Sequence, residues 1–385
     1  MKETMPEPSS QFEKPQVQRS FEVSIVTAEE AEANIPTPVR DNAFWRQFKS
    51  RGFAAHRIKE SLTNKVFYIP LPFRTEANLT ILHFRVPYKF ARHYLDENVQ
   101  GVARRENPEL LKIQDGHDWA AGALWFMEYT KSDLGSQGNS QNGDYPELCM
   151  TFTATEDKGR KSIEYSNKYT IASVVANADF PSISAKLLLN NRAAIVAGRL
   201  IAGFDKNPGE IDVKAMGNEV SHLVVKSREG KQLLVLEIPK IDILDSLRSQ
   251  IRLLRQAIKI YGLWRALIPP LKMILRIIPV IRNVVRADRC DGYTTLDLPF
   301  TGMPRRLRMD SDMNPWSLKM GELSSKDIFK YIDSEDRMFG ALFQHAEFET
   351  IIKAHFRGAF SLAEEGIDWL SKKVGTVTIK EDLSG

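Results

Sequence analysis

From Asn190 to Gly209 the chain runs Asn-Asn-Arg-Ala-Ala-Ile-Val-Ala-Gly-Arg-Leu-Ile-Ala-Gly-Phe-Asp-Lys-Asn-Pro-Gly. An apolar segment enters Gly198-Arg199, makes a second apolar turn, and ends on a Gly203-Phe204 corner that presents Lys206 just ahead of Pro208-Gly209. A neutral lysine amine attacks a ketone to give an iminium ion, an electron sink next to the bond to be broken. Loss of carbon dioxide, retro-aldol cleavage, dehydration and enamine condensation all draw on that sink, and the lysine alone does not choose among them. Asp205 on one side and neutral Asn207 on the other favour the ammonium form, which leaves burial as the way to free the amine. The same residues also fit a solvated turn lysine paired with Asp205.

These residues resemble the signature of the acetoacetate decarboxylase-like superfamily, in which Ala-Ile-x-x-Gly-Arg is followed by Gly-aromatic-Pro-Lys-Lys. The Schiff-base lysine of that pattern falls on Lys206. The family's upstream Gly-x-Tyr-x-Glu segment is matched by Gly143-Asp144-Tyr145-Pro146-Glu147. The resemblance implies roles for Arg199 as a carboxylate or backbone anchor, for Glu147 and Glu128 as acids near the lysine, and for Phe204 and Asp205 as its flanking residues. Arg199 and Glu147 also suit a bracing role, Arg199 through Glu147 or Asp144. The departures are equally specific: Asp205 replaces the pattern's proline, Asn207 replaces its second lysine, and the loop from Asp133 to Gly143 contains no glutamate to serve as the expected second acid. The position of the substrate-carboxylate arginine is Ala77, with Arg74 three residues away as its substitute. The lost arginine and loop acid point away from acetoacetate itself.

Other chemistries have no pattern to stand on. His83 and His222 sit in strand-like runs as structural histidines, no HxH or HExxH spacing suggests a metal, and no G-x-S-x-G, Walker A or G-x-G-x-x-G run occurs. Imine chemistry at Lys206 calls for no cofactor. Cys149 and Cys290 give neither a disulfide framework nor a CxxC pattern, which fits a reducing, cytoplasmic setting, and Met1-Lys2-Glu3-Thr4 does not start a secretory signal. A net charge of +4 over 385 residues names no nucleic-acid partner.

The elements that must position the lysine are mostly strands. Residues 66–70, 79–86, 122–129, 148–154, 169–175, 211–216, 222–227 and 231–238 carry β-branched and alternating patterns, with Arg228-Glu229-Gly230 as a hairpin connection. So many short strands predict an α+β, mainly antiparallel body, and the resemblance makes it a β-barrel or cone with peripheral helices. Residues 1–40 read as a mobile arm with one ordered piece at 21–26, ahead of a single domain over 41–385. Residues 42–65, with Phe44, Trp45, Phe48 and Phe53, and 329–360 read as helical, and 374–379 as a closing strand or an ordered tail.

Residues 241–289 differ in kind, and look like an insertion relative to the family. Ile241, Leu244, Leu247, Ile251, Leu254 and Ile258 keep a helical stripe beside Arg248, Arg252, Arg255 and Lys259, and Pro269-Pro270 is the expected break before a second amphipathic piece. Ten Lys/Arg against three Asp give this span +7 and leave −3 for the rest of the chain. The apolar runs fall short of a membrane span. A membrane-surface anchor making the protein peripheral, a lid over an apolar pocket, and an oligomer contact remain open; the resemblance itself implies a homo-oligomer. The expected function is a lysine Schiff-base decarboxylase or related carbon–carbon lyase or dehydratase acting on a keto acid or a larger apolar keto substrate. The alternative is a non-Schiff-base ligand-binding or non-covalent rearrangement protein on the same fold.

Overall fold

The structure, a computed structural model, describes residues 17–34, 55–69, 73–99, 107–132, 144–155, 162–175, 180–216, 219–275, 288–293, 306–313, 315–362 and 375–381. The elements begin with β1 (Val17–Val26), α1 (Ala28–Asn34), β2 (Ala55–Glu60), β3 (Val66–Ile69), β4 (Phe73–Pro87) and α2 (Tyr88–Asn98). There follow β5 (Glu109–Leu110), β6 (Lys112–Gln114), β7 (Asp118–Ser132), β8 (Tyr145–Thr155), β9 (Ser162–Glu164), α3 (Tyr169–Val175), β10 (Ser182–Leu189) and α4 (Arg192–Ala197). Past a π-helical turn at Gly198–Ala202 come β11 (Lys206–Met216), β12 (Glu219–Ser227), β13 (Gln232–Glu237), α5 (Ile243–Tyr261), α6 (Leu263–Leu275), β14 (Asp288–Tyr293) and β15 (Arg306–Met313). The chain closes with β16 (Lys319–Glu322), α7 (Ser325–Ile328), β17 (Phe329–Ile332), α8 (Gly340–Phe343), β18 (Glu347–Leu362) and β19 (Gly375–Glu381).

Mainly antiparallel pairing joins these strands into a barrel-like body. β8 pairs with both β7 and β10, so the ladders run β10, β14, β15, β18, β4, β7, β8 and return to β10. Closure of this kind removes exposed sheet edges. One end of β10, at Ser182 and Ile183, carries β14; its other end, Leu187–Leu189, takes β11 in parallel, and β12, β13 and β17 extend from there as a wing. Lys206 is therefore the first residue of the wing, opposite Leu187.

Two apolar clusters lie on the two faces of this sheet. One joins Phe84, Phe126, Leu148, Phe152 and Leu188 with α2, α8 and the wing. The other joins Leu79, Ile81, Met127, Tyr129, Cys149, Leu187 and Leu189 with α4 and with a separate sheet, ordered β19-β1-β2-β3, whose Phe21, Ile58 and Ile69 pack on it. Glu60 of β2, itself buried, accepts from Arg192 at 2.6 Å and ties the small sheet to α4.

Several local expectations are corrected. Within the predicted mobile arm, Val17–Val26 is a strand paired on both sides, and β19 is its partner. The helical reading of 42–65 fails at Ala55–Glu60, where His56, Ile58 and Glu60 are buried at a period of two; Phe44, Trp45, Phe48 and Phe53 lie outside the described residues. Residues 169–175 are a helix, because Asn167 caps the Tyr169 N–H at 2.9 Å and the whole turn is buried, so burial on all sides hides the helical period. Most of 329–360 is strand, dominated by β18, and within 241–289 the two helices part at Gly262 in the left-handed region (φ 81), with Pro269-Pro270 inside α6. No helix among the described residues is long and apolar enough to cross a membrane.

Candidate active site around Lys206

Asn191 caps α4 by accepting from the Ala194 N–H at 3.1 Å, and the helix widens into the π turn. Such turns occur often at functional sites. Gly203, in the left-handed region (φ 68), then reverses the chain, a conformation costly for any residue with a Cβ. The Phe204 N–H closes back on the Gly198 carbonyl at 2.9 Å, and the Lys206 N–H bonds the Phe204 carbonyl at 2.9 Å. The lysine's stem lies directly on Gly198: a Cβ there would stand 2.4 Å from Lys206 Cδ and 2.8 Å from Cε. Glycine before Arg199 is thus a space requirement set by the lysine.

The buried Lys206 ammonium donates to Glu147 Oε2 at 2.7 Å, and both side chains are nearly sealed, 11% and 3% exposed. Glu147 lies on β8 opposite Met127 and Leu189, so the alternation of paired strands sends it to the same face as Cys149, Leu187 and Lys206. Its carboxylate dominates the charge here. Burial first, then Glu147, pushes the Tyr129 and Tyr145 hydroxyls well above their ordinary range and the Cys149 thiol up to about 12, so all three stay protonated at neutral pH. The tyrosine rings stand 4.5 Å apart. Neither tyrosine carried a site reading in the sequence, although Tyr145 belongs to the Gly-x-Tyr-x-Glu segment.

The other sequence-selected residues divide sharply. Asp205 does not pair with Lys206; its carboxylate lies 3.8 Å from Lys186 and 3.9 Å from Arg199. Arg199 accordingly reaches Asp205 in place of Glu147 or Asp144, and its Nε is buried without a hydrogen-bond partner among the described residues. Phe204 is half-buried against the Lys206-side cluster. Glu128, expected beside the lysine, pairs in register with Pro146 and Asn78, which puts it on the opposite face of the sheet from Glu147. There it accepts from Asn78 at 3.2 Å. Arg74 is opposite Ala359 in the β4–β18 ladder, its side chain outside the described residues, and Ala77 is fully buried.

Two further polar features escaped the sequence. Arg85 is sandwiched between the rings of Trp119 and Tyr165 at 4.5 and 4.2 Å and reaches Asp115, Glu347 and Glu349. Burial outweighs the pull of Arg85 and lifts the Glu349 carboxyl to about 7. A cleft of about 1020 Å³ opens elsewhere, between Asn78, His355 and the start of α5. No group of His, Cys, Asp and Glu suited to a metal occurs among the described residues. His83, fully buried with Nδ1 3.1 Å from Thr350 Oγ1, is a core histidine.

Solved structures resemble this chain at low identity. One of acetoacetate decarboxylase covers 81% of this chain and 91% of its own, at 10% identity and a TM-score of 0.41. The chain is similar to acetoacetate decarboxylase-like enzymes. An acetoacetate decarboxylase-like enzyme from Sphingomonas wittichii RW1 matches 76% of this chain and 92% of its own, at 12% identity and a TM-score of 0.38. The enduracididine biosynthesis enzyme MppR, complexed with pyruvate, matches 75% and 87%, at 13% and a TM-score of 0.37. No family model and no curated protein matches the chain.

Gly198→Ala tests how tightly the site is built. Overpacking against the pinned lysine should cost about 1–3 kcal/mol by urea unfolding. Most of that cost should vanish beside Lys206→Ala, which removes the atoms the new Cβ meets. An equal cost in both backgrounds would show that the lysine stem does not set the space.

Proposed function

We propose that this chain is a lysine-dependent enzyme of the acetoacetate decarboxylase-like kind, acting on a keto acid or a larger apolar keto compound. The observation that carries this reading is a buried lysine at the motif position, 2.7 Å from a buried carboxylate in an otherwise apolar wall. In the proposed reaction Glu147 takes a proton from the Lys206 ammonium, and the freed amine adds to the substrate ketone. Loss of water from the carbinolamine gives the iminium, and the electrons of the breaking carbon–carbon bond move into it. In a decarboxylation, carbon dioxide leaves and protonation of the enamine is followed by hydrolysis, which returns the amine. Arg199 is the proposed anchor for the substrate's polar end, with Arg74 as a further candidate and Phe204 as apolar wall, while Asp205 turns with Lys186, opposite Met150, to the Glu128 side of the sheet and is assigned the role of bracing Arg199.

The same ion pair favours a second reading. An ammonium held this closely is not nucleophilic, and with Glu128 on the far face of the sheet only one of the expected acids stands by the lysine. On that reading the site binds an apolar ligand, or rearranges it without a covalent intermediate. Borohydride reduction in the presence of short and long β-keto and α-keto acids, followed by peptide mass spectrometry, separates the two. An adduct on Lys206, absent from Lys206→Arg, is the expected result; a folded protein that yields no adduct with any keto acid refutes the Schiff base.

A further inference from the structure

Helix α5 is mounted with its apolar side outward. The residues it turns to the body are Ser246, Ser249 and Gln256, all buried. Ser246 Oγ accepts from the Met320 N–H at 3.0 Å, Ser249 Oγ accepts from the Tyr169 hydroxyl at 2.9 Å, and Gln256 bonds Thr170, Ser166 and Asn167. Hydrogen bonds, with half-buried Leu253, hold the helix down. Facing solvent are Ile243 (79% exposed), Leu244 (68%), Leu247 (54%) and Ile251 (45%). Across the turn at Gly262, α6 continues the strip with Leu263, Trp264 (82%), Ile268 and Leu271. Single exposed apolar residues need no explanation, but eight of them gathered on two packed helices mark a surface that something covers.

The charge beside the strip says what covers it. On the helical wheel Arg248, Arg252, Arg255 and Lys259 form one exposed band next to Ile243, Leu247 and Ile251. Arg252 reaches Glu322 at 2.6 Å and Arg248 reaches Asp245 at 3.2 Å, while the cleft at the start of α5 adds Lys240, Lys319 and Lys353 against Asp242 and Asp245. The span 241–289 carries +7, and the remainder of the chain −3. A second copy laid antiparallel on this strip would set the two basic bands side by side, and one laid parallel would leave each band without an anionic partner. An anionic lipid surface instead meets the cations with headgroup phosphates and takes the aliphatic side chains and Trp264 into the acyl boundary.

We propose that α5 and α6 dock this protein on the surface of an anionic phospholipid bilayer, lying on it with the apolar strip inserted and the arginine band at headgroup level. The docking does not use Lys206, so it stands or falls apart from the proposed chemistry. The test is sedimentation of the full chain with vesicles of phosphatidylcholine alone and of phosphatidylcholine with about 30% phosphatidylserine, at low and high salt. Expected is binding to the mixed vesicles, weaker by about tenfold or more on pure phosphatidylcholine or at high salt. Leu247→Glu/Trp264→Glu should abolish it, and Arg255→Glu/Lys259→Glu should weaken it about tenfold or more, since each surface cation contributes roughly fivefold. All four positions are exposed, so unchanged urea midpoints certify the fold of the variants. Lys206→Arg should bind as the parent does. A chain that stays in the supernatant with mixed vesicles overturns the proposal, as does undiminished binding by Leu247→Glu/Trp264→Glu. An oligomer in vesicle-free solution that Leu247→Glu/Trp264→Glu breaks apart overturns it too, assigning the strip to a second copy.

Discussion

Lys206→Met is expected to lose the reduced keto-acid adduct completely and to destabilise the fold by about 3–5 kcal/mol, the cost of stranding one partner of a buried ion pair. The carboxylate left behind, Glu147, is only 2% exposed, with Tyr129, Tyr145 and Cys149 around it. Such a group takes up a proton or draws water inward, and either response weakens the packing on which α4, β8 and the small sheet converge. Two further variants separate the structural role from the chemical one. Lys206→Met/Glu147→Leu removes both charges and should recover most of the lost stability, since a buried pair replaced by apolar groups is often near neutral. Lys206→Arg keeps a cation near Glu147 and cannot form an imine, so it should remain folded and give no adduct. Urea unfolding of the four proteins reads the first effect and mass spectrometry the second. A cost below about 1 kcal/mol for Lys206→Met would place the pair in solvent, in the range of surface ion pairs, and would remove the observation on which the proposed chemistry stands.

Stability is expected to fall by about 1.4 kcal/mol per pH unit between about pH 6.5 and 4.5, through two histidines and one opposing carboxyl. Burial holds both His56 and His83 down to about 4, partly offset by backbone hydrogen bonds. An imidazole whose folded value is depressed contributes its full stability above the unfolded value and loses it as pH falls toward the folded one. Glu349 acts in the other direction. Its folded value is raised to about 7, so its contribution is complete below the ordinary carboxylate value and is lost as pH rises through about 7. Between the unfolded carboxylate and imidazole values the unfolded chain therefore binds two extra histidine protons, and the folded chain one extra carboxyl proton. The net is one proton in favour of unfolding. Glu349→Gln should steepen the slope to about 2.7 kcal/mol per pH unit, and His83→Asn should flatten it. Urea midpoints at pH 5 and pH 7 check both; a slope unchanged by His83→Asn would show that this imidazole is not held neutral.

Much of the strand content was legible because its signal is local. β4, β7, β8, β11, β12 and β13 each announce themselves by β-branched residues or alternation. The failures share a different cause. Tyr169 to Val174 are buried on every side, so no period distinguishes their helix from a strand, and β18 sits in a stretch whose apolar residues fit either period. The insert was legible as an amphipathic helix, but the side by which it is held was not: the anchoring side of α5 is serine and glutamine, and its apolar stripe faces outward. Hydrogen bonds to Met320, Tyr169 and Thr170 come from distant parts of the chain, and no local pattern foretells them.

At the site, the sequence by itself determined the corner: an apolar segment entering Gly198-Arg199, a second apolar turn, a glycine at 203, and one lysine ahead of Pro208-Gly209. That corner follows from steric and hydrogen-bonding rules acting over a few residues. Which charges the lysine meets was decided only by the tertiary structure. Adjacent Asp205 turns to Lys186 and Arg199, distant Glu147 becomes the partner because the β8–β10–β11 register brings it to the same face, and Glu128 is lost to the site because one residue of register reverses the side to which a strand points its side chains.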